Sequence, residues 1–153
     1  MNSKSRKRLI IVALIIFNVL AIAKIADNTK MQVTEDNELN NALETARDYK
    51  DKNLNMAALD FYQDALEKAD TVEVRREMIQ AYRGALKDGE IDEQTIVDDF
   101  VLASVDQLWN QVGIYETALE YFDKENENEQ MVEVIQRALI NNISSDKINQ
   151  AYE

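Results

Sequence analysis

The sequence contains no cysteine, no histidine, no proline and only three glycines in 153 residues. Without cysteine the chain can form no disulfide and offers no thiol nucleophile. Without histidine it lacks the usual acid–base group at neutral pH and the commonest metal ligand. No nucleophile–base pair or set of metal ligands is visible, so we expect no enzymatic activity, no catalytic residue, no metal and no cofactor. Absent proline and scarce glycine remove the main interruptions to helix, which favours an all-α fold.

Positive charge is scarce after the first thirty residues. Residues 1–30 carry six basic residues and one acidic residue, whereas residues 31–153 carry 11 basic and 28 acidic residues. A body with this net charge of −17 repels phosphates and has no basic stripe along which nucleic acid could bind. We therefore expect no nucleic-acid partner, and the simplest role of the surplus acid is to keep the domain soluble.

A basic cluster precedes one long apolar run. Residues 1–8 end in KSRKR, and residues 9–26 are apolar except at Asn18 and Lys24. This run is close to the shortest helix that crosses a bilayer, so it predicts a transmembrane signal anchor with a cytoplasmic tail at residues 1–8. The alternative is a signal peptide cleaved near Ala23, which would leave a secreted protein. In both cases the basic cluster stays in the cytoplasm and the acidic body lies outside it.

The polar residues 27–37 predict a tether, and residues 38–153 predict a helical domain. In that domain apolar residues recur at three- and four-residue steps, which predicts about six or seven helices. Breaks between helices are expected at turn-forming or capping positions: Asn53, Asp70-Thr71, Asp88-Gly89, Gly113 and the polar stretch 123–130. A last short helix is expected at residues 146–152. No alternating apolar–polar run indicates a strand.

One pattern occurs twice, at a constant offset of sixty residues. Residues 49–62 read YKDKNLNMAALDFY, and residues 109–122 read WNQVGIYETALEYF. Each copy has an aromatic residue, a turn-former, an Ala-Leu pair and two adjacent aromatic residues. This repetition is typical of stacked helical hairpins, in which small residues allow close approach and aromatic residues pack between helices.

The first copy resembles the tetratricopeptide repeat. Its small, aromatic and turn-forming residues occur in the order of that family's pattern: Ala46, Tyr49, Asn53, Ala58, Tyr62 and Ala65. The second copy keeps the residues Trp109, Gly113, Ala118 and Phe122. The resemblance implies a right-handed stack of α-hairpins that binds a protein or peptide. It also implies a partner-binding groove on the inner face of each first helix, formed by Asn40, Leu43, Arg47 and Lys50, and by Phe100, Ala103, Gln107 and Asn110.

The basic start, the single apolar segment and the degenerate repeats are also similar to anchored or secreted helical-repeat proteins of Gram-positive bacteria. In some of these proteins, WG-type β repeats follow the helices. The resemblance implies a bacterial scaffold, attached to the membrane through residues 9–26, that holds a protein or peptide partner outside the cytoplasm. Two other functions remain open: a chaperone-like accessory of protein export, and a structural spacer that presents a C-terminal domain absent from this chain.

Overall fold

The computed structural model describes residues 36–152, and within this range it contains seven helices and no strand. The first helix, α1, is described over residues 36–51. It is followed by α2 (Asn55–Lys68), α3 (Val72–Lys87), α4 (Gln94–Gln107), α5 (Val112–Glu125), α6 (Asn128–Ile140) and α7 (Asp146–Tyr152). The prediction of an all-α fold is confirmed for this part of the chain. The predicted cytoplasmic tail, signal anchor and all but the last two residues of the tether lie outside the described residues.

The helical packing belongs to the compact unit Leu39–Glu153, which is distinct from the unit Met1–Glu38. Residues 36 and 37, which were expected in the tether, are helical. Among the residues that the structure describes, no helix is both long enough and apolar enough to cross a bilayer.

Two of the predicted breaks between helices are correct in detail. Thr71 caps α3, and its hydroxyl accepts a hydrogen bond from the backbone N–H of Val74 at 3.3 Å. This bond satisfies one of the N–H groups that the first turn of a helix leaves unpaired. Gly89 follows the end of α3 with φ of 71°, a conformation that glycine adopts without steric cost.

Two other expected breaks are wrong. Gly113 does not end α4, because α4 stops at Gln107 and Gly113 is the second residue of α5. A Cβ atom at Gly113 would lie 3.0 Å from Cγ1 of Val72, so this glycine allows α5 to approach α3 closely. The stretch 123–130 is mostly helical, since Asn126 alone makes the left-handed turn, with φ of 60°, between α5 and α6.

The structural repeat has a shorter period than the sixty-residue offset between the two copies of the sequence pattern. Left-handed residues end α1, α3 and α5 at Asn53, Gly89 and Asn126, at intervals of 36 and 37 residues. The repeating unit is therefore a pair of helices. An offset of sixty residues spans three helices, so it relates α1 to α4 and α2 to α5.

The helices α1, α3 and α5 run parallel to one another. Arg47 of α1 donates to Glu77 of α3, and one turn further along Lys50 donates to Gln80. Residue numbers also rise together along α3 and α5: Arg76 donates to Thr117, and further along Arg83 donates to Glu125. Helix α7 packs against α5. We call α1, α3, α5 and α7 the odd-numbered helices.

The even-numbered helices run in the opposite direction. On α2, Asn55 donates to Asp88 and Tyr62 donates to Glu77, so the numbering falls along α3 as it rises along α2. Two edges result. At edge A the odd-numbered helices begin, and its connections are residues 69–71, 108–111 and 141–145. At edge B the helices α1, α3 and α5 end, and its connections are residues 52–54, 88–93 and 126–127.

The core consists of two clusters that meet at α3. The N-terminal cluster joins α1, α2 and one face of α3: Leu43, Ala46, Ala58, Leu59, Tyr62, Ala65, Val74, Met78, Ala81 and Ala85. The C-terminal cluster joins the other face of α3 to the later helices: Ile79, Val97, Val101, Val105, Ile114, Tyr115, Ala118, Leu119, Tyr121, Phe122, Val134, Ile135, Ala138 and Ile148. Tyr82 and Phe100 contact both clusters, with their ring centroids 5.1 Å apart.

Candidate functional site

Three concave regions lie side by side on the odd-numbered helices. The first lies between α1 and α3 and has a volume of about 670 Å³. The second lies between α3 and α5, with about 240 Å³, and the third, of about 740 Å³, extends from α3 toward edge B. Gln80 lines all three. We call this continuous surface across α1, α3 and α5 the groove.

The groove is electrically balanced, whereas the rest of the described body is strongly acidic. Six cations line it: Arg47, Lys50, Arg76, Arg83, Lys87 and Lys124. Six carboxylates line it as well: Asp51, Glu73, Glu77, Asp92, Glu120 and Glu125. Residues 36–152 outside the groove carry five cations and twenty carboxylates. The groove is therefore a neutral, hydrogen-bonding surface surrounded by negative potential.

At the α1 side of the groove, Glu77 links α3 to the two preceding helices, through Arg47 of α1 and Tyr62 of α2. It accepts hydrogen bonds from Arg47 at 2.6 Å and from the Tyr62 hydroxyl at 3.0 Å. Partial burial on its own would raise the pKa of Glu77, but the hydrogen bonds from Arg47 and Tyr62 outweigh it and hold the pKa below its ordinary value. Burial raises the pKa of Tyr62, and the nearby charge of Glu77 raises it further, so the phenol stays protonated as a donor.

At the α5 side, Glu120 lies between two lysines. Hydrogen bonds from Lys124 at 2.7 Å and from Lys147 of α7 at 3.0 Å lower the pKa of Glu120 to about 2. Arg83 makes a further ion pair with Glu125 across α3 and α5. These contacts hold the groove-lining side chains in place. They are exposed, so they contribute little to the free energy of folding.

The middle of the groove offers a cation that is not engaged by a carboxylate. Arg76 is exposed and donates to the hydroxyl of Thr117 at 3.1 Å, and within residues 36–152 it makes no ion pair. The Thr117 hydroxyl in turn donates to the carbonyl of Gly113 at 2.7 Å. The guanidinium group keeps donors available for a partner's carbonyl or carboxylate oxygen.

In the described part of the chain, no group of three or more carboxylates is placed to hold a metal ion. The groove side chains of α3 include both signs: Glu73 and Glu77 lie near Arg76, and Arg83 and Lys87 follow further along the helix.

Part of the first predicted set of binding residues lies in the groove. Arg47 and Lys50 line its α1 side. Asn40 is exposed about two turns before Arg47 on the same helix. Leu43 is 7% exposed and packs in the N-terminal cluster, so it offers a partner no surface.

The second predicted set lies elsewhere. Phe100, Ala103 and Gln107 are on α4, and Asn110 is in the connection that follows it. Phe100 is half-buried against Tyr82, and the other three are exposed. The structure does not bring the two sets together, because the offset of sixty residues that related them carries a residue from an odd-numbered helix to an even-numbered one.

Sequence reasoning missed the α3 wall of the groove. Arg76, Gln80, Arg83 and Lys87 follow one another at steps of four, three and four residues, which places them on one face of a helix. This polar stripe, opposite the apolar residues of the same helix, is the signal that could have found the wall.

The first aromatic residues of the two pattern copies, Tyr49 and Trp109, also differ in their surroundings. Tyr49 stacks on Phe61, with ring centroids 5.3 Å apart. Its counterpart Trp109, expected to pack between helices, is 53% exposed at edge A. The expectation is wrong for Trp109, because this residue follows the end of α4 and does not lie within a helix.

Comparison with known proteins adds no relative. The chain matches no protein-family model, no curated protein and no solved structure at a significant level.

Proposed function

We propose that the chain is a membrane-anchored binding protein that holds an extended segment of a partner protein in the groove across α1, α3 and α5. The observation that carries the proposal is the electrically balanced groove in an otherwise acidic body. The architecture proposed is a right-handed, tetratricopeptide-like stack of hairpins. It is supported by parallel odd-numbered helices and by turns that repeat every 36 and 37 residues.

The dimensions of the groove favour a peptide over a small ligand. Its three regions follow one another across three helices, and neighbouring packed helices lie about 8–10 Å apart. A segment of several residues in extended conformation therefore contacts all three helices. Gln80, Arg76 and Lys50 provide donors for main-chain carbonyl groups, and Glu73 provides an acceptor for N–H groups or lysine.

Attachment to the membrane through residues 9–26 remains part of the proposal. The basic residues before this segment and the acidic body after it support an outward-facing domain. The partner would then be a protein at the outer surface of the membrane, and the charge of the body would speed association with a basic partner.

Site-specific crosslinking tests the proposal. A photoreactive amino acid is placed at Gln80, which lines all three regions, and in a matched variant at Gln63, which is exposed on α2. We expect a discrete crosslinked protein in intact membranes from position 80 and none from position 63.

A second variant decides whether the product depends on the groove. Arg76→Glu reverses the charge of a cation that has no ion pair in the described residues, so the fold should remain intact by circular dichroism. We expect the crosslink from position 80 to be lost in this variant. A product that persists with Arg76→Glu, or equal products from positions 80 and 63, would contradict binding in the groove.

A further inference from the structure

The two edges of the body differ sharply in charge. The connections at edge B contain five carboxylates and one lysine. The connections at edge A contain one carboxylate, that of Asp70, and Arg75 neutralises it at 2.5 Å. The connections at edge A therefore carry almost no net charge, in contrast to those at edge B.

Two uncharged stretches form most of edge A. Residues 107–115 and residues 138–145 contain no charged side chain, and they are the two longest uncharged runs after residue 30. In a chain with 30% charged residues, such runs at the ends of α4 and α6 need a reason other than solubility, because connections at a surface are usually polar and often charged.

These stretches expose large apolar side chains. The exposed fractions are 53% for Trp109, 38% for Val112, 56% for Leu139 and 77% for Ile140. The Tyr115 hydroxyl donates to the carbonyl of Trp109 at 2.8 Å and accepts from the side chain of Asn141 at 2.9 Å, so the two connections lie side by side. Exposed apolar residues of this size, on connections that lie side by side, favour contact with something less polar than water.

Edge A is also where the chain enters the body. Because α1 runs parallel to α3, α1 begins at edge A. Residues 27–35 connect α1 to the apolar segment 9–26, and nine residues span at most about 30 Å when fully extended. A bilayer crossed by residues 9–26 is therefore within reach of edge A.

We propose that edge A docks on the lipid surface, with Trp109, Val112, Leu139 and Ile140 entering the interfacial region of the bilayer. The inference rests on the proposed membrane anchor. Tryptophan favours the membrane–water interface, and aliphatic side chains gain free energy on leaving water. The acidic edge B points away from the lipid, and the groove runs parallel to the membrane surface.

The fluorescence of Trp109 tests the proposal directly, because it is the only tryptophan in the chain. The full chain is reconstituted into vesicles of phosphatidylcholine and phosphatidylglycerol, with and without bromine on the acyl chains. We expect tryptophan emission at shorter wavelength than in the unfolded chain in denaturant, and loss of intensity with brominated lipid. Emission at short wavelength without bromine quenching would show that protein covers edge A, and it would contradict lipid docking.

A pair of double variants provides the matched control. Leu139→Ser with Ile140→Ser removes apolar side chains from edge A, and Leu54→Ser with Met56→Ser removes similarly exposed ones, at 47% and 45%, from edge B. We expect the edge A variant to reduce the docked fraction relative to the undocked one about tenfold, since burial of one large aliphatic side chain is worth at least that factor. The edge B variant should leave bromine quenching unchanged.

Vesicle flotation separates this proposal from the anchor on which it rests. If the full chain does not float with the vesicles, the proposed membrane anchor is wrong, and docking of edge A on lipid fails with it. If the chain floats but Trp109 stays accessible to acrylamide and is not quenched by bromine, the anchor stands and docking of edge A is wrong. Equal quenching in both double variants would also contradict docking through Leu139 and Ile140.

Discussion

The N-terminal and C-terminal clusters hold the same kind of helical repeat together by different means. Five of the ten buried apolar residues in the N-terminal cluster are alanine, whereas two of fourteen are alanine in the C-terminal cluster. Alanine lets helices approach closely but buries little apolar surface. The N-terminal cluster adds polar contacts to this packing, above all those of Glu77. The C-terminal cluster is filled by branched and aromatic side chains and has buried polar contacts of its own, such as the hydrogen bond from the Tyr121 hydroxyl to Asp98 at 2.9 Å.

The closest approach in the N-terminal half shows what small residues permit. Asn55 at the start of α2 is 5% exposed and lies against Gly84 of α3, where a Cβ atom would come within 2.5 Å of the Asn55 side chain. Asn55 also donates to Asp88 at 2.9 Å. Close helix packing and a hydrogen bond thus occur together in this half. Because small side chains fill much of the N-terminal cluster and large ones the C-terminal cluster, added volume and removed volume should affect the two clusters differently.

The largest effect is expected on removing volume from the C-terminal cluster. Phe122 is fully buried, so Phe122→Ala should lower the free energy of unfolding by about 3–5 kcal/mol through lost burial and a residual cavity. Denaturant titration followed by circular dichroism measures this change. Leu139→Ala is the control, because at 56% exposure it should change stability by less than about 0.5 kcal/mol. Equal effects of the two substitutions would contradict the assignment of Phe122 to the core.

Adding volume should be most harmful in the N-terminal cluster. Ala58 is fully buried where α2 approaches its neighbours, and Ala58→Leu should destabilise the fold by about 1–3 kcal/mol through overpacking. Ala103 is exposed on α4 and provides the matched control, since Ala103→Leu meets no neighbouring core. The same denaturant titration compares the two. Tolerance of Ala58→Leu without loss of stability would show that this cluster is loosely packed.

Loss of a polar contact should also weaken the N-terminal half. Glu77→Gln removes the charge that accepts from Arg47 and Tyr62 and should cost about 1–2 kcal/mol. Glu73→Gln is the comparison, because the side chain of Glu73 is 68% exposed and its single ion pair with Arg47 contributes little. If both substitutions had the same small effect on the denaturation midpoint, Glu77 would not join α2 and α3 as described.

The contribution of Glu77 should depend on pH in a defined direction. Its pKa in the folded protein lies below the ordinary value of 4.5, so its stabilising effect is fully present above that pH. The effect is lost as the pH falls below 4.5 and through the lower pKa of the folded state, because the unfolded chain binds the proton more readily. The difference in unfolding free energy between the wild type and Glu77→Gln should therefore shrink in acid. A difference that grows on acidification would reverse the sign of the pKa shift.

The smallest effect is expected at the exposed end of the groove. Lys124→Gln removes the main cause of the lowered pKa of Glu120, so that pKa should rise from about 2 toward its ordinary value of 4.5. Nuclear magnetic resonance titration of the Glu120 carboxyl measures the shift, while stability should change by less than about 0.5 kcal/mol. Lys87→Gln serves as the control, because Lys87 makes no ion pair within residues 36–152.

The helices were predictable where a local signal sets them. Apolar periodicity identified all seven, and the hydroxyl of Thr71 and the glycine at position 89 marked the ends of α3 correctly. Prediction failed where a turn needs one residue. Asn126, in the left-handed conformation, and Glu127 are the whole connection, and the charged residues around them continue α5 and α6 because exposed helix positions accept charge without penalty.

The groove was predictable only in part. Arg47 and Lys50 were found from the first copy of the repeat, while the second copy led to α4. The sequence similarity between α2 and α5 corresponds to similar burial, since Ala58 and Ala118 are both fully buried. It reflects equivalent packing of two helices. Only the odd-numbered helices line the groove, and the two copies are three helices apart, so equivalent residues of the two copies cannot both lie there.

Helix α3 has a consequence for how the protein moves. Met78 packs in the N-terminal cluster and Ile79 in the C-terminal cluster, so opening either half exposes one side of a helix that the other half still holds. The two halves should therefore exchange their amide hydrogens with similar protection, as one cooperative unit. The same helix forms the α3 wall of the groove, so a bound segment would find these contacts already ordered and would lose little affinity to rearrangement of the protein.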